Sequence, residues 1–237
     1  LGEASKDQLL RNPAEPAGAN PPAARRAVAP ARGTNPEAGP PVFRNAANTD
    51  FALAPNRQKQ RQALDDYTAN RLGKKWPVII NGKKMTDRPY FPSVNPAHPS
   101  QVIGYWAKGT VQDADAAVAA SVAYFPIWRA TPADARARFI ERAAGLMEAR
   151  RFELNALLVL EAGKPWLEAD GDVSEAVDFL RFYAGEMRRL GRPVVTQPVP
   201  GERCVQSWTA RGVGVAVAPW NFPLAILTGL TVAPLVA

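Results

Sequence analysis

Apolar residues recur at the helical period of 3.6 in four successive segments of the chain, which predicts four helices that each bury one face. Capping residues and glycines mark the ends of these helices. The helices are expected after Thr110, after Thr131, at about residues 152–162, and on a long stretch that ends at Gly191. A further, largely exposed helix is predicted over residues 50–72, where apolar residues are widely spaced.

Strand patterns lie on both sides of the four helices. The dipeptide Asn81-Gly82 predicts a hairpin, because both residues readily take the positive φ of a type I′ turn. Prolines predict an extended loop over residues 90–99, followed by a strand at residues 102–106. A second hairpin is predicted over residues 194–209. The apolar run at residues 213–218 predicts a strand buried on both faces, as in parallel sheets, and therefore an α/β fold.

The first part of the chain has a different composition. Residues 13–41 carry eight of the 23 prolines and one sizeable aliphatic residue, Val28, so they cannot bury enough surface to offset their ordering entropy, and we expect a linker over residues 13–42. Residues 1–75 hold 12 basic and 7 acidic residues, which accounts for +5 of the net charge of +7. Nucleic-acid binding is not predicted, because the basic linker lacks interleaved aromatic residues and a recognition motif.

The chain contains one cysteine, Cys204, and one histidine, His98. This pair excludes a disulfide framework and a zinc site built from histidine and cysteine. Cys204 lies in the second predicted hairpin without an activating neighbour in the sequence, so it is expected to be a structural or surface thiol. His98 is expected in the proline-rich loop.

Residues 212–237 contain no charged side chain, and their length would suffice to cross a bilayer. Three prolines and Asn221 interrupt this stretch, and lipid would leave the broken backbone unpaired. A strand, a tight turn and an apolar helix are therefore favoured over a membrane anchor. Two roles are open to Asn221: it caps the helix that follows, or its amide points into the cleft at the carboxyl end of the strand and donates to an oxyanion.

The same stretch carries a resemblance. Residues 215–226, Val-Ala-Val-Ala-Pro-Trp-Asn-Phe-Pro-Leu-Ala-Ile, closely resemble the central signature of the aldehyde dehydrogenase superfamily, and Glu161-Ala-Gly-Lys-Pro-Trp is similar to a second element of it. Residues 168–184 resemble the Δ1-pyrroline-5-carboxylate dehydrogenases within that superfamily. The segments Phe43-Arg-Asn, Thr49-Asp-Phe and Asn56-Arg resemble the lead-in of the same family, so the resemblance covers residues 43–237.

The resemblance implies an incomplete aldehyde dehydrogenase fold, with the start of a Rossmann-like NAD-binding domain and an oligomerisation hairpin. The implied reaction is the oxidation of L-glutamate γ-semialdehyde to L-glutamate with NAD, in proline catabolism. It implies that Asn221 stabilises the oxyanion and that Phe222 shapes the aldehyde pocket. It also implies that Ala218, Pro219 and Trp220 line the dinucleotide site and that Glu175 lies near the substrate's amino group. Lys164 is expected to be a packing residue rather than a catalytic base.

In the family that the chain resembles, the nucleophilic cysteine, the general-base glutamate and a cofactor-binding lysine all follow the asparagine motif. We therefore expect these groups beyond Ala237 and no activity from the 237 residues alone. The alternative is a non-enzymatic fragment that oligomerises through residues 194–209. Residues 1–12 resemble the end of the proline dehydrogenase domain of bifunctional proline utilization A proteins, which would bring FAD into the upstream domain only.

The expected partners are a small aldehyde substrate and, in the full-length protein, further copies of the same subunit. No nucleic acid and no stable membrane insertion are expected. The predicted location is the cytoplasm of a bacterial type of cell, with peripheral membrane association if the protein is bifunctional.

Overall fold

The computed structural model describes residues 43–237, apart from the side chain of Pro198. The tail predicted at residues 1–12 and the linker predicted at residues 13–42 lie outside this part. The elements in chain order are α1 (Ala54–Asn70), β1 (Lys74–Trp76), β2 (Val78–Ile80), β3 (Lys83–Met85), β4 (Tyr90–Asn95), β5 (His98–Ala107), α2 (Val111–Ala130), α3 (Ala133–Ala149), α4 (Arg151–Ala162), α5 (Trp166–Leu190), β6 (Val194–Val199), β7 (Glu202–Gln206) and α6 (Ala225–Val236).

A three-stranded sheet with the order β1-β5-β4 lies beside helices α1 and α4. Strand β1 runs parallel to β5, and β4 runs antiparallel to it. The loop predicted at residues 90–99 is therefore wrong, because this stretch forms β4 and the start of β5. Pro92 is tolerated in β4 because β4 is the edge strand, so the N–H that proline lacks is not needed for a hydrogen bond to a further strand. His98 lies opposite Asn95 at the beginning of β5, not in a loop.

Both predicted hairpins are confirmed. Strands β2 and β3 pair around Asn81 and Gly82, whose φ angles of 48° and 73° are those of a type I′ turn. Strands β6 and β7 pair around Gly201, which has a φ of 81°. In the part of the chain that the structure describes, β6 and β7 pair only with each other.

The strand predicted at residues 213–218 is absent from the described structure. These residues lie in neither a helix nor a strand, and Val215 and Val217 are 78% and 81% exposed. A strand becomes part of a sheet only when a neighbour takes up its backbone hydrogen bonds. Residues 43–237 place no such neighbour beside this segment.

The four predicted helices are confirmed, but one predicted cap is wrong. Thr110 caps α2 through a reciprocal pair of bonds with Asp113, and α4 ends at Gly163, which takes the left-handed conformation. Thr131 does not cap α3. Its hydroxyl donates to the carbonyl of Ile127 in the last turn of α2, because the two helices follow each other so closely that Thr131 belongs to the end of the first.

Helices α3, α5 and α6 enclose the larger hydrophobic core. Its buried residues come from all three helices: Ala137, Ile140, Ala144, Val177, Leu180, Ala184, Val232 and Val236. A smaller cluster of Tyr67, Ile103 and Ala156 joins α1, β5 and α4. Among residues 43–237, no helix combines the length and the apolar character that a membrane crossing needs. The long helix α5 packs against both α4 and α6, and these contacts position the turn at residues 219–224 that leads into α6.

Candidate active site

The turn at residues 219–224 connects the exposed segment before it to helix α6. Its last residues already make helical bonds: the N–H of Ile226 donates to the carbonyl of Phe222 at 3.2 Å, and the N–H of Thr228 donates to that of Leu224 at 3.0 Å. Asn221 is the last residue before this helical pattern begins. The turn thus places Asn221 directly before the helical backbone.

A buried carboxylate from α5 holds the start of α6. Asp172 Oδ1 accepts a hydrogen bond from the backbone N–H of Ala225 at 2.7 Å, and both residues are fully buried. The first N–H groups of a helix have no partner within the helix, and its N-terminus carries a partial positive charge. Asp172 therefore satisfies an otherwise unpaired donor and places a negative charge where the helix favours one.

Lys164 completes the arrangement from the other side of the turn. Its ammonium Nζ lies 2.8 Å from Asp172 Oδ2 and 3.9 Å from the centre of the Phe222 ring. The Lys164 side chain is 9% exposed, so the ion pair and the cation–π contact are both largely shielded from water. This agrees with the expectation that Lys164 packs rather than acts as a base. It sits directly after Gly163, whose left-handed backbone ends α4 and turns the chain toward α5.

The Asn221 side chain is exposed and makes no hydrogen bond with residues 43–237. Helix α6 begins at Ala225 without a side-chain cap bond, and Asp172 binds the N–H of Ala225. The capping interpretation of Asn221 is therefore wrong. As far as residues 43–237 are concerned, its amide is available to donate to another group.

Four of the other residues implied by the resemblance lie in or directly before the same turn, and the fifth, Glu175, lies on α5. Trp220 is 88% exposed, Pro219 is exposed and Ala218 is half-buried, and all three directly precede Asn221 outside any helix or strand. Phe222 is 38% exposed, with Lys164 against its ring. Glu175 is exposed on α5 three residues after Asp172, a spacing that makes the two neighbours on the helix surface.

Cys204 and His98 belong to other parts of the molecule. Cys204 lies on β7 opposite Gln197, partly buried, in the hairpin that pairs only with itself among the described residues. His98 begins β5 beside Asn95. Residues 43–237 contain no cluster of histidine, cysteine and carboxylate side chains that could hold a metal ion.

A second buried carboxylate, Asp170, anchors α5 to the lead-in of the chain. It accepts bonds from the backbone N–H of Thr49 at 2.6 Å, from the Thr49 hydroxyl at 2.7 Å and from the Asn155 amide at 2.9 Å, and Arg151 lies 3.1 Å away. Burial acts to raise the pKa of Asp170, but these hydrogen bonds and the charge of Arg151 outweigh it and hold the pKa below its ordinary value.

Asp172 is the residue of this candidate site that the sequence patterns did not single out. A signal was present, since Asp172 precedes Ala176 by four residues and Asp170 precedes Val173 by three. The helical period therefore places both carboxylates on the buried face of α5. A charged residue in that position needs a partner, and the sequence does not say which one.

The fold and the turn define the class of protein. The model of the aldehyde dehydrogenase family matches residues 83–237. The chain belongs to the aldehyde dehydrogenase family, and its described part is a partial, mixed α/β version of that fold, which confirms the expected fold class.

Individual relatives narrow the similarity. The chain is 41% identical over 194 residues to 1-pyrroline-5-carboxylate dehydrogenase of Geobacillus sp. (strain WCH70), which covers 82% of this chain and 38% of the relative. The structure of proline utilization A from Bdellovibrio bacteriovorus inactivated by N-propargylglycine has a TM-score of 0.80 and 39% identity, covering 83% of this chain and 20% of that one. A Thermus 1-pyrroline-5-carboxylate dehydrogenase with bound NAD has a TM-score of 0.78 and 38% identity, covering 83% and 38%.

Proposed function

We propose that this chain contributes part of the active site of an NAD-dependent L-glutamate γ-semialdehyde dehydrogenase. This enzyme would oxidise the aldehyde formed by hydrolysis of 1-pyrroline-5-carboxylate to L-glutamate. The names of the relatives support the substrate, and the Thermus relative with bound NAD supports the cofactor. The observation that carries the proposal is the Asn221 amide, exposed and without a hydrogen bond to the described residues, in a turn held by the buried Asp172.

Asn221 would stabilise the charge that develops when a nucleophile attacks the aldehyde. As the new bond to the carbonyl carbon forms, the π electrons of the carbonyl move onto its oxygen and make it an oxyanion. A fixed N–H donor facing that oxygen lowers the barrier by about 3–4 kcal/mol, because it needs no reorganisation at the moment of attack. The Asn221 Nδ2 group, in the turn that Asp172 and Lys164 contact, would be such a donor.

Ala218, Pro219 and Trp220 would line one side of the dinucleotide site. The Trp220 ring is 88% exposed, and the backbone of these residues makes no backbone hydrogen bond within the described part of the chain. An accessible aromatic face next to unpaired backbone groups suits a flat ring that carries an amide, so the residues fit one wall of an NAD site. NAD, when bound, supplies the acceptor for the two electrons that the aldehyde loses.

Phe222 and Glu175 would bind the substrate. One contact of the Phe222 ring is taken by Lys164, while 38% of the side chain remains accessible to the aliphatic part of an aldehyde. Glu175 is an exposed carboxylate, and a carboxylate is the natural partner for the ammonium group of glutamate semialdehyde. Both residues adjoin the Lys164–Asp172 pair, Phe222 by contact and Glu175 along α5.

The nucleophile is expected outside the 237 residues. The chain's one cysteine, Cys204, lies in the β6–β7 hairpin and is not joined to the turn by any strand pairing among residues 43–237. We therefore expect that the 237-residue chain alone does not form NADH from 1-pyrroline-5-carboxylate.

The test uses the longest natural polypeptide that contains this chain, with NADH formation from 1-pyrroline-5-carboxylate as the measurement. Asn221→Ala is expected to lower kcat by about 100- to 1000-fold while KM changes little, because the donor acts on the transition state. Asn70→Ala is the matched control, since the Asn70 amide donates to Asp66 on exposed α1. Absence of NADH formation by the wild-type polypeptide, or full activity of Asn221→Ala, would contradict the proposal.

The upstream part of the protein is a separate proposal. The likeness of residues 1–12 to the end of a proline dehydrogenase domain, and the similarity of this chain to a proline utilization A structure, support a bifunctional parent protein with FAD in that upstream domain. Flavin absorbance in the longest natural polypeptide tests it. A polypeptide without flavin and without proline oxidation would contradict it. The cytoplasmic location stays a prediction.

Oligomerisation through the β6–β7 hairpin is a second candidate function. Val194 and Val195 on β6 and Val205 on β7 are exposed by 56%, 60% and 42%, and the two strands pair with each other and with no third strand in the described part of the chain. An unpaired, apolar strand edge fits a second copy of the same hairpin. Light scattering should then give a dimer or larger species, and Val195→Lys should reduce it to a monomer. A wild-type monomer would exclude this role.

A further inference from the structure

We propose that Lys164 and Asp172 are positioning residues for Asn221: together they hold the turn so that the asparagine amide points at the reacting oxygen. This inference rests on the proposed function of Asn221. It assigns a role in that reaction to two residues that would touch neither the substrate nor the cofactor.

The two residues hold the turn on the C-terminal side of Asn221 at two places. Lys164 contacts Phe222, the next residue, through its ammonium group at 3.9 Å from the ring centre. Asp172 binds the N–H of Ala225, four residues after Asn221, at 2.7 Å. Asn221 itself has no hydrogen bond with the described residues. Its position is therefore set by its neighbours, and the ion pair fixes two of them.

The ion pair also fixes its own two members. Asp172 Oδ2 lies 2.8 Å from Lys164 Nζ, so one carboxylate oxygen is used for the lysine and the other for the helix. The two side chains are exposed by 0% and 9%, which leaves little water to compete for these contacts. A buried ion pair contributes little net stability compared with apolar residues of similar size, because both charges lose their hydration. The pair instead fixes the positions of its two members, because moving either one away would leave a buried charge without a partner, which is strongly unfavourable.

Asp170 provides a comparison within the same helix. It is as buried as Asp172 and two residues earlier on α5, and it also has a basic neighbour, Arg151. Its contacts go to Thr49 and Asn155, not to the turn. Loss of Asp170 should therefore weaken the fold without moving Asn221, whereas loss of Asp172 should release the turn.

A displaced Asn221 should change the rate of the chemical step rather than the binding of the aldehyde. The oxyanion forms only as the transition state is approached, so a displaced Asn221 should lower kcat and leave KM for the aldehyde nearly unchanged. A displacement of about 1 Å in a catalytic group is sufficient for a loss on the order of 100-fold.

The first experiment measures hydrogen exchange in the 237-residue chain. In Asp172→Asn, exchange of the Ala225 amide should become at least ~10-fold faster, because the amide is held by a neutral acceptor whose NH₂ group faces Lys164. Lys164→Met should speed exchange across residues 222–226. Asp170→Asn should speed exchange near Thr49 and leave Ala225 within about twofold of wild type. Unchanged exchange of Ala225 in Asp172→Asn would overturn the proposal.

The second experiment measures kcat and KM in the longest natural polypeptide that contains the chain. Lys164→Met and Asp172→Asn should lower kcat by ~10- to 100-fold with KM within about threefold, and Lys164→Arg should recover most of the loss because it keeps the charge. Equal losses in Asp170→Asn, or a rise in KM with unchanged kcat, would overturn the positioning role. If the wild-type polypeptide does not oxidise the aldehyde, the proposed function itself is wrong, and faster exchange of Ala225 would still identify the pair as what holds the turn.

Discussion

Gly229 of α6 lies against the ring of Phe179 on α5, so closely that a Cβ on residue 229 would meet ring atom Cδ2 at 2.9 Å and Cε2 at 3.0 Å. Real Cβ atoms do not approach other carbons to this distance. The glycine is in the middle of a helix, where it costs stability relative to alanine, so its use here is explained by the close approach of the two helices. The contact sets how near α6 lies to α5, and thus where Asp172 meets Ala225.

The first prediction concerns this contact. Gly229→Ala should lower the free energy of unfolding by about 1–3 kcal/mol, because the methyl group forces α5 and α6 apart. Gly185→Ala on α5 is the control, since no atom lies within 4 Å of a Cβ there. That variant should be more stable than wild type by about 0.4–1 kcal/mol. Urea unfolding of the 237-residue chain measures both, and equal effects of the two substitutions would contradict the prediction.

The second prediction separates the two threonines that the sequence suggested as caps. Thr110→Ala should destabilise the fold by about 0.5–2 kcal/mol, because it removes the acceptor for the N–H of Asp113 at the start of α2. Thr131→Ala should change stability by no more than about 0.5 kcal/mol, since its hydroxyl only donates to a carbonyl one turn earlier. Thermal unfolding of the two variants checks this. A larger effect at Thr131 would mean that it caps α3 after all.

The third prediction concerns acid. The pKa of Asp170 in the folded protein lies below its ordinary value, so the ionised carboxylate stabilises the fold at pH values above the unfolded pKa of about 4. This contribution is lost as the pH falls from about 4 through the folded pKa. Asp170→Asn should cost on the order of 3 kcal/mol at pH 7 and should flatten the dependence of stability on pH below about 4.

Urea unfolding between pH 7 and pH 2 measures this dependence. Asp66→Asn serves as the comparison, because Asp66 is an exposed carboxylate on α1 whose pair with Arg71 is open to water. It should change the stability far less at every pH. An Asp170→Asn variant that loses stability in acid as steeply as wild type would contradict the assignment of the effect to Asp170.

The fourth prediction tests that Asn221 has no structural bond. Asn221→Ala should leave the free energy of unfolding within about 0.5 kcal/mol of wild type, because Asp172 and not Asn221 binds the start of α6. Asn155→Ala is the matched control. The Asn155 amide is fully buried and donates to Gln60 and Asp170, so its loss should cost about 1–3 kcal/mol. A comparable loss at Asn221 would restore the capping role.

The sequence by itself determined the features that depend on neighbours a few residues apart. Such features are the type I′ turn at Asn81-Gly82, the capping box of Thr110 and Asp113, and the left-handed residue Gly163 at the end of α4. Their causes are positive φ angles and hydrogen bonds across at most three residues, which local residue types specify. The resemblance at residues 215–226 likewise identified the family from a short motif.

Only the tertiary structure decided the features whose partners are distant in the chain. Pro92 predicted a loop from the sequence, but it lies in β4, where the edge of a sheet accommodates a proline. Residues 213–218 have a strand pattern, but no strand lies beside them among the described residues. The sequence left open whether Asn221 caps α6, and it did not single out Asp172. In the structure Asp172, which precedes Ala225 by 53 residues, binds the start of α6, because the packing of α5 against α6 brings its carboxylate to the N–H of Ala225. Burial and long-range pairing select among groups that local patterns leave equivalent, since a hydrogen bond requires its partner within about 3 Å.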